Sequence, residues 1–147
     1  MRSSKKIGEI LVSKGLITEE VLNLTLKEQK NTGEFLGEIL LRHNYINDKD
    51  LIKVLSEQFG FPVIDLENKY IDINLFDNFS KNLIFDYYVI PIKKDDFSIV
   101  FAIHNPLDAW AMQKAQEEAG GFKVKFVLAT KKEIEKVIDR YKKYKFK

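Results

Sequence analysis

Two glycines and two glutamines stand at matched places in the N-terminal part of the chain, and their chemistry is that of recognition rather than bond breaking. Gly8 and Gly37 each sit inside a short apolar-periodic run, Lys6-Ile7-Gly8-Glu9-Ile10-Leu11 and Phe35-Leu36-Gly37-Glu38-Ile39-Leu40. Glycine in a helix costs about 1 kcal/mol relative to alanine, so each position gains something from lacking a side chain. Two gains are open: close packing of a neighbouring helix, or close approach of a planar ligand to the backbone with Leu11 and Leu40 beneath it. Gln29 and Gln58 end the longer helical runs at equivalent points. A primary amide both donates and accepts hydrogen bonds, which serves a ligand or a solvated helix end alike. Two equivalent sets suit a ligand with two equivalent halves.

Groups that make or break bonds are not arranged for catalysis. A nucleoside triphosphatase needs a glycine-rich loop closing on Gly-Lys-Ser/Thr; Gly120-Gly121-Phe122-Lys123 fails that spacing and reads as a helix stop. His43 and His104 fall on different elements with no partner at metal-ligand spacing, and read as surface or helix-end residues. The acidic pairs Glu19/Glu20, Asp95/Asp96 and Glu117/Glu118 occupy a helix start, a turn and a helix end. The chain has no cysteine, which removes disulfides and thiolate metal sites. No catalytic residue, metal ligand or resident cofactor is therefore expected.

Net charge is only +2, so no global field demands nucleic acid or an anionic membrane as partner. Glu19, Glu20, Asp48 and Asp50 at the helix starts would repel phosphate. The basic excess is local, at Lys142, Lys143, Lys145 and Lys147, and reads as the start of a linker or a solvated helix end. No apolar run approaches membrane-spanning length and none near the N-terminus reads as a signal peptide, so the expectation is a cytoplasmic protein with no direct membrane insertion.

The elements follow from periodicity and caps. A helix over 4–14 stops at Gly15, Thr18 caps a second helix carrying Leu22, Leu26 and Gln29, and the copy runs from Glu34 to His43, pauses at Asn44 and recaps at Asn47. Nine of the repeat positions from Gly8 to Gln29 meet an identical residue in the copy, whereas Lys6 meets Phe35. Past Pro62 the pattern changes to a short extended run at Val63–Leu66, a small helix over 74–83, strands over 88–92 and 97–103, a helix opened by Asn105-Pro106-Leu107-Asp108, a strand over 122–128 and a final helix capped by Thr130. Pro91 calls for an edge position or a bulge. The fold class is α+β: a four-helix subdomain from two tandem helical hairpins over 1–61, then a small α+β subdomain over 62–147 with a mostly antiparallel sheet and flanking helices.

Lys6-Ile7-Gly8 through Gln29, a five-residue spacer, Phe35-Leu36-Gly37 through Gln58 and the closing Gly60-Phe61-Pro62 together resemble the N-terminal domain of type II secretion and type IV pilus assembly ATPases. The likeness continues through the later strands and covers nearly the whole chain. It implies a non-catalytic regulatory and docking domain. The implied partners are the cytoplasmic domain of an inner-membrane secretion or pilus assembly protein and, in a longer chain, an ATPase domain. The protein would then be cytoplasmic and peripheral at the inner membrane through its partner. The resemblance also implies cyclic di-GMP as a ligand, at Lys6, Gly8, Leu11 and Gln29 in the first copy and Leu36, Gly37, Leu40 and Gln58 in the second. Ligand-binding members favour arginine at the motif head, where Lys6 keeps the charge and Phe35 keeps only a stacking ring. Asn44 replaces the glycine that Gly15 retains.

Overall fold

The computed structural model describes residues 2–146, with side chains from Lys6 onward, so Lys147 of the basic C-terminal run lies outside the described residues. The chain divides into two compact units between Gln58 and Phe59.

The first unit holds four helices, α1 (Arg2–Ser13), α2 (Glu19–Thr32), α3 (Leu36–Arg42) and α4 (Asp48–Phe59). The turn that closes α1 is repeated bond for bond after α3. Gly15 takes φ +73° and Asn44 takes φ +58°. Leu16 N–H donates to the Leu11 carbonyl at 3.0 Å as Tyr45 N–H donates to Leu40 at 2.9 Å. Asparagine is among the few side chains that tolerate this left-handed conformation, which is why the copy survives loss of its glycine. Thr18 then accepts from Val21 N–H at 3.1 Å and Asn47 accepts from Asp50 N–H at 2.8 Å, starting α2 and α4 with equivalent caps. The apolar faces close on a core that includes Leu11, Leu36, Ile39, Leu40, Val54 and Leu55.

The second unit builds a three-stranded sheet, β1 (Ile90–Lys94), β2 (Ser98–Ile103) and β3 (Lys123–Leu128), with α5 (Ala109–Ala119) between the last two strands and α6 (Lys131–Lys145) at the end. Strand order is β1-β2-β3. The sheet is mixed rather than mostly antiparallel: β1 and β2 form an antiparallel hairpin, whereas β2 and β3 run parallel. The reason is the crossover, since α5 carries the chain back along the sheet so that β3 re-enters in the direction of β2. Pro91 lies on the edge strand and beside a register shift at Pro91/Lys93, where a missing amide hydrogen costs no ladder bond.

The helix expected over 74–83 is instead a 3-10 helix at Ile73–Asn78 and a π turn at Asn82–Asp86. Extended backbone at Phe79 separates them, and Ser80 behind it donates its N–H to Glu118 on α5 at 2.7 Å. A tertiary partner has replaced the helical one. The Val63–Leu66 run pairs with the sheet only at Val63 opposite Leu128. One face of the sheet is covered by α6 through Ile134, Val137, Ile138 and Tyr141, and α6 starts with a full capping box of Thr130 and Glu133.

Candidate functional site

The matched glycines are explained first by what lies over them. A Cβ added at Gly8 would overlap Cδ1 of Leu22, and one added at Gly37 would sit 3.0 Å from Cδ2 of Leu51. Leu22 and Leu51 are themselves repeat equivalents on α2 and α4. Each short helix therefore receives a leucine of its own hairpin where the glycine leaves room. Of the two gains open from sequence, helix packing is present in both copies.

The other candidate positions divide sharply. Leu11, Leu36 and Leu40 have no exposed surface. Gln29 is buried and its Nε2 donates to the Glu34 carbonyl at 3.1 Å, tying the end of α2 to the spacer between repeats. Gln58, its repeat equivalent, is exposed, as is Lys6. The eight positions are thus not one surface: identical residues have been put to different uses, and Lys6 and Gln58 are the two that solvent reaches freely.

Sequence reasoning missed a second repeated feature, an ionic latch between the copies. Lys14 Nζ in the first copy lies 3.2 Å from Glu57 Oε2 in the second. His43 Nε2, at the Lys14-equivalent position, lies 2.9 Å from Oε1 of Glu28, the equivalent of Glu57. The pairing is reciprocal, as in a two-fold interface folded into one chain. Arg42 reinforces one side, donating to Glu28 and, at 2.7 Å, to Glu34. Hydrogen bonds from Arg42, then His43, hold the Glu28 carboxyl below the usual carboxylate range. The signal was present in the sequence: Glu28 and Glu57 are identical repeat positions outside the apolar stripe, with basic side chains at 14 and 43.

Outside the repeat, His104 departs from expectation. It follows β2 and is half-buried, with the Tyr88 ring edge-on at 6.2 Å between centroids. Burial pushes its imidazole down to about 4, and the neighbouring Lys131 ammonium acts in the same direction. Among the described residues no group of His, Asp or Glu is placed to hold a metal ion, and no helix is long and apolar enough to cross a membrane. The exposed face of α2 carries a different kind of feature. Leu24 is 53% exposed there, in a shallow depression of about 400 Å³ bordered by Glu20, Asn23, Lys27 and Lys30.

The MshEN domain model matches residues 59–145. The type IV pilus assembly ATPase PilB of Myxococcus xanthus (strain DK1622) is 26% identical over 138 residues, which is 94% of this chain and 24% of that protein. The chain therefore spans less than a third of the relative's length. A solved structure of MshE with cdg (cyclic di-GMP) superposes with a TM-score of 0.78 at 27% identity, over 92% of this chain and 97% of that one. The N-terminal domain of XpsE superposes with a TM-score of 0.73 at 17% identity, over 92% and 93% of the two chains, a likeness of fold.

Proposed function

Because the chain belongs to the MshEN domain family, we propose that it serves as the regulatory and docking domain of a type II secretion or type IV pilus assembly ATPase, coupling that motor to the cytoplasmic domain of an inner-membrane assembly protein. The chain is an MshEN domain and not an ATPase core. The observation that carries docking is the α2 face, where Leu24 stays 53% exposed while Leu22 of the same helix is buried. Leu24, with Leu26 in the same depression and Lys27 and Lys30 outnumbering Glu20 around it, offers an apolar anchor with charges to orient an acidic partner segment. On this reading the protein is cytoplasmic and reaches the inner membrane through its partner. Co-elution with the cytoplasmic domain of the assembly protein tests it. Leu24→Asp should abolish the complex while leaving the helical signal intact, and undiminished binding by Leu24→Asp would remove this face from the proposal.

A second reading, cyclic di-GMP sensing through both repeats, is favoured by the likeness to MshE, whose solved structure is with cdg. The proposed positions are Lys6, Gly8, Leu11, Gln29, Leu36, Gly37, Leu40 and Gln58. Here the three leucines would shape the scaffold from within, and Lys6 and Gln58 would meet the ligand directly. Phe35 at the second motif head supplies no charge. Calorimetry with wild type, Lys6→Ala and Gly37→Trp decides: binding lost in both variants supports the site, and no heat with wild type removes it. Phe35→Arg should tighten binding, since a planar guanidinium both stacks on a base and donates paired hydrogen bonds.

A further inference from the structure

The tip of the β1–β2 hairpin carries a feature that neither reading of the repeat uses. Phe97 is 82% exposed at that tip. Its exposure is built in, because the Asp95 carboxylate accepts from Phe97 N–H at 2.8 Å, Ser98 N–H at 2.7 Å and the Ser98 hydroxyl at 3.0 Å. The Phe97 carbonyl in turn accepts from Lys123 N–H at 2.9 Å, fastening the tip to β3.

The sheet that carries this tip also presents a basic face. Lys93 and Lys125 are the two cross-strand partners of Val100, one on each side, and Lys123 is the partner of Ser98. Cross-strand partners share a face, and so do residues two apart on a strand, so all three ammonium groups project from one side, with Lys93 and Lys125 about 10 Å apart. All three are exposed. None of them joins the ion pairs formed among the described residues, although Lys125 is near enough to Asp95 to help lower its carboxyl. Lys94 turns to the other face and lies over the Phe122 ring at 4.4 Å. Asp95 is held in the turn as an ionised carboxylate, and with Asp96 it offsets part of this charge, leaving the lysines in excess.

We propose that the β1–β2 tip is an interfacial contact for an anionic phospholipid surface, with Phe97 entering the headgroup region and Lys93, Lys123 and Lys125 facing the acidic lipids. Charge complementarity selects an anionic surface, and the single convex ring at a hairpin tip selects a bilayer, which receives a protruding aromatic without a matching cleft. The contact is reversible and peripheral, and it would orient a docked domain rather than anchor it.

Flotation of the purified chain with phosphatidylcholine vesicles, with and without phosphatidylglycerol, tests the proposal. Binding is expected only with phosphatidylglycerol and should fall as salt rises. Lys123→Gln and Lys125→Gln should each weaken it about five-fold, the equivalent of the ~1 kcal/mol that a basic residue contributes near such a surface. Phe97→Ser should weaken it without changing its salt dependence, and Asp96→Asn should strengthen it. These side chains are exposed, so unchanged thermal melts will separate lost binding from lost folding. Equal binding to neutral vesicles, no binding to anionic ones, or wild-type binding by a chain carrying both Lys123→Gln and Lys125→Gln would each overturn the assignment. So would capture on polyglutamate without vesicle binding, which would make the tip a contact for an acidic protein.

Discussion

Gly8→Ala and Gly37→Ala should move stability in opposite directions. Each replacement gains about 1 kcal/mol of helix propensity. At Gly8 the new methyl overlaps Cδ1 of Leu22 and lies 3.3 Å from Cδ2 and 3.4 Å from Cγ, so the whole isobutyl group of a buried leucine must shift. Overpacking of that kind costs about 1–3 kcal/mol, which matches or exceeds the propensity gain. At Gly37 only Cδ2 of Leu51 is close, at 3.0 Å, with Cδ1 and Cγ both at 3.9 Å. A small rotation of one methyl relieves it, and most of the propensity gain survives. The expected result is Gly8→Ala less stable than wild type by about 1 kcal/mol, and Gly37→Ala more stable by about 0.5 kcal/mol. Urea denaturation followed by far-UV circular dichroism measures both, with Trp110 fluorescence as a separate report on the second unit. Equal stabilisation by both alanines would refute the argument, because it would mean that the leucines do not need the space and that the glycines serve something outside the fold.

The latch should show its reciprocity by charge reversal: Lys14→Glu or Glu57→Lys alone lowers the urea midpoint, and the two together recover most of the loss, within about 1 kcal/mol for so exposed a pair. Arg42→Met should raise the Glu28 pKa towards its ordinary value, since the first cause of its depression is removed, and a carboxyl NMR titration reads that directly. Asn44→Gly should be near neutral and Asn44→Ala destabilising by about 1 kcal/mol, because φ is positive there. His104, with a folded pKa of about 4 against 6.5 unfolded, binds its proton preferentially in the unfolded chain. Stability is therefore full above pH 6.5 and falls between 6.5 and about 4, by up to about 3 kcal/mol. His104→Gln should flatten that part of the pH profile, and an unchanged slope would show that burial of this ring carries no penalty.

The helical hairpins were legible because their signals are local. Thr18 and Asn47 are caps by residue type, and Gly15 announces a left-handed stop. Asn44 was legible as a pause only because the repeat supplied a template for it. The parallel pairing of β2 and β3 was less visible, since alternation in Lys123–Leu128 gives a strand but not its neighbour's direction. The 73–86 segment misled for a related reason, because the partner of Ser80 is Glu118, far away in sequence. His104 was misjudged on the same ground: its neighbours Tyr88 and Lys131 come from two other parts of the chain, and burial cannot be read from one position. The candidate site fared differently. Six of its positions are the repeat pairs Gly8/Gly37, Leu11/Leu40 and Gln29/Gln58, and identity at Gln29 and Gln58 concealed opposite burial.

That contrast bears on what the duplication preserves. The features held in common by both copies are the leucine seated over each glycine, the left-handed turn, the cap after it and the reciprocal latch. Every one of them forms a hairpin or joins the two, so folding alone suffices to keep them alike. The features that differ are Lys6 against Phe35 and buried Gln29 against exposed Gln58. A ligand with two equivalent halves would require these to agree, since each half needs the same donors at the same depth. Sensing by this unit would therefore have to proceed through unequal contacts, with Lys6 supplying charge on one side and Phe35 supplying stacking on the other. The Phe35→Arg variant is then more than a gain-of-binding test: tighter binding would mean that the shared scaffold still presents the second motif head correctly, and that chemistry diverged while geometry was held.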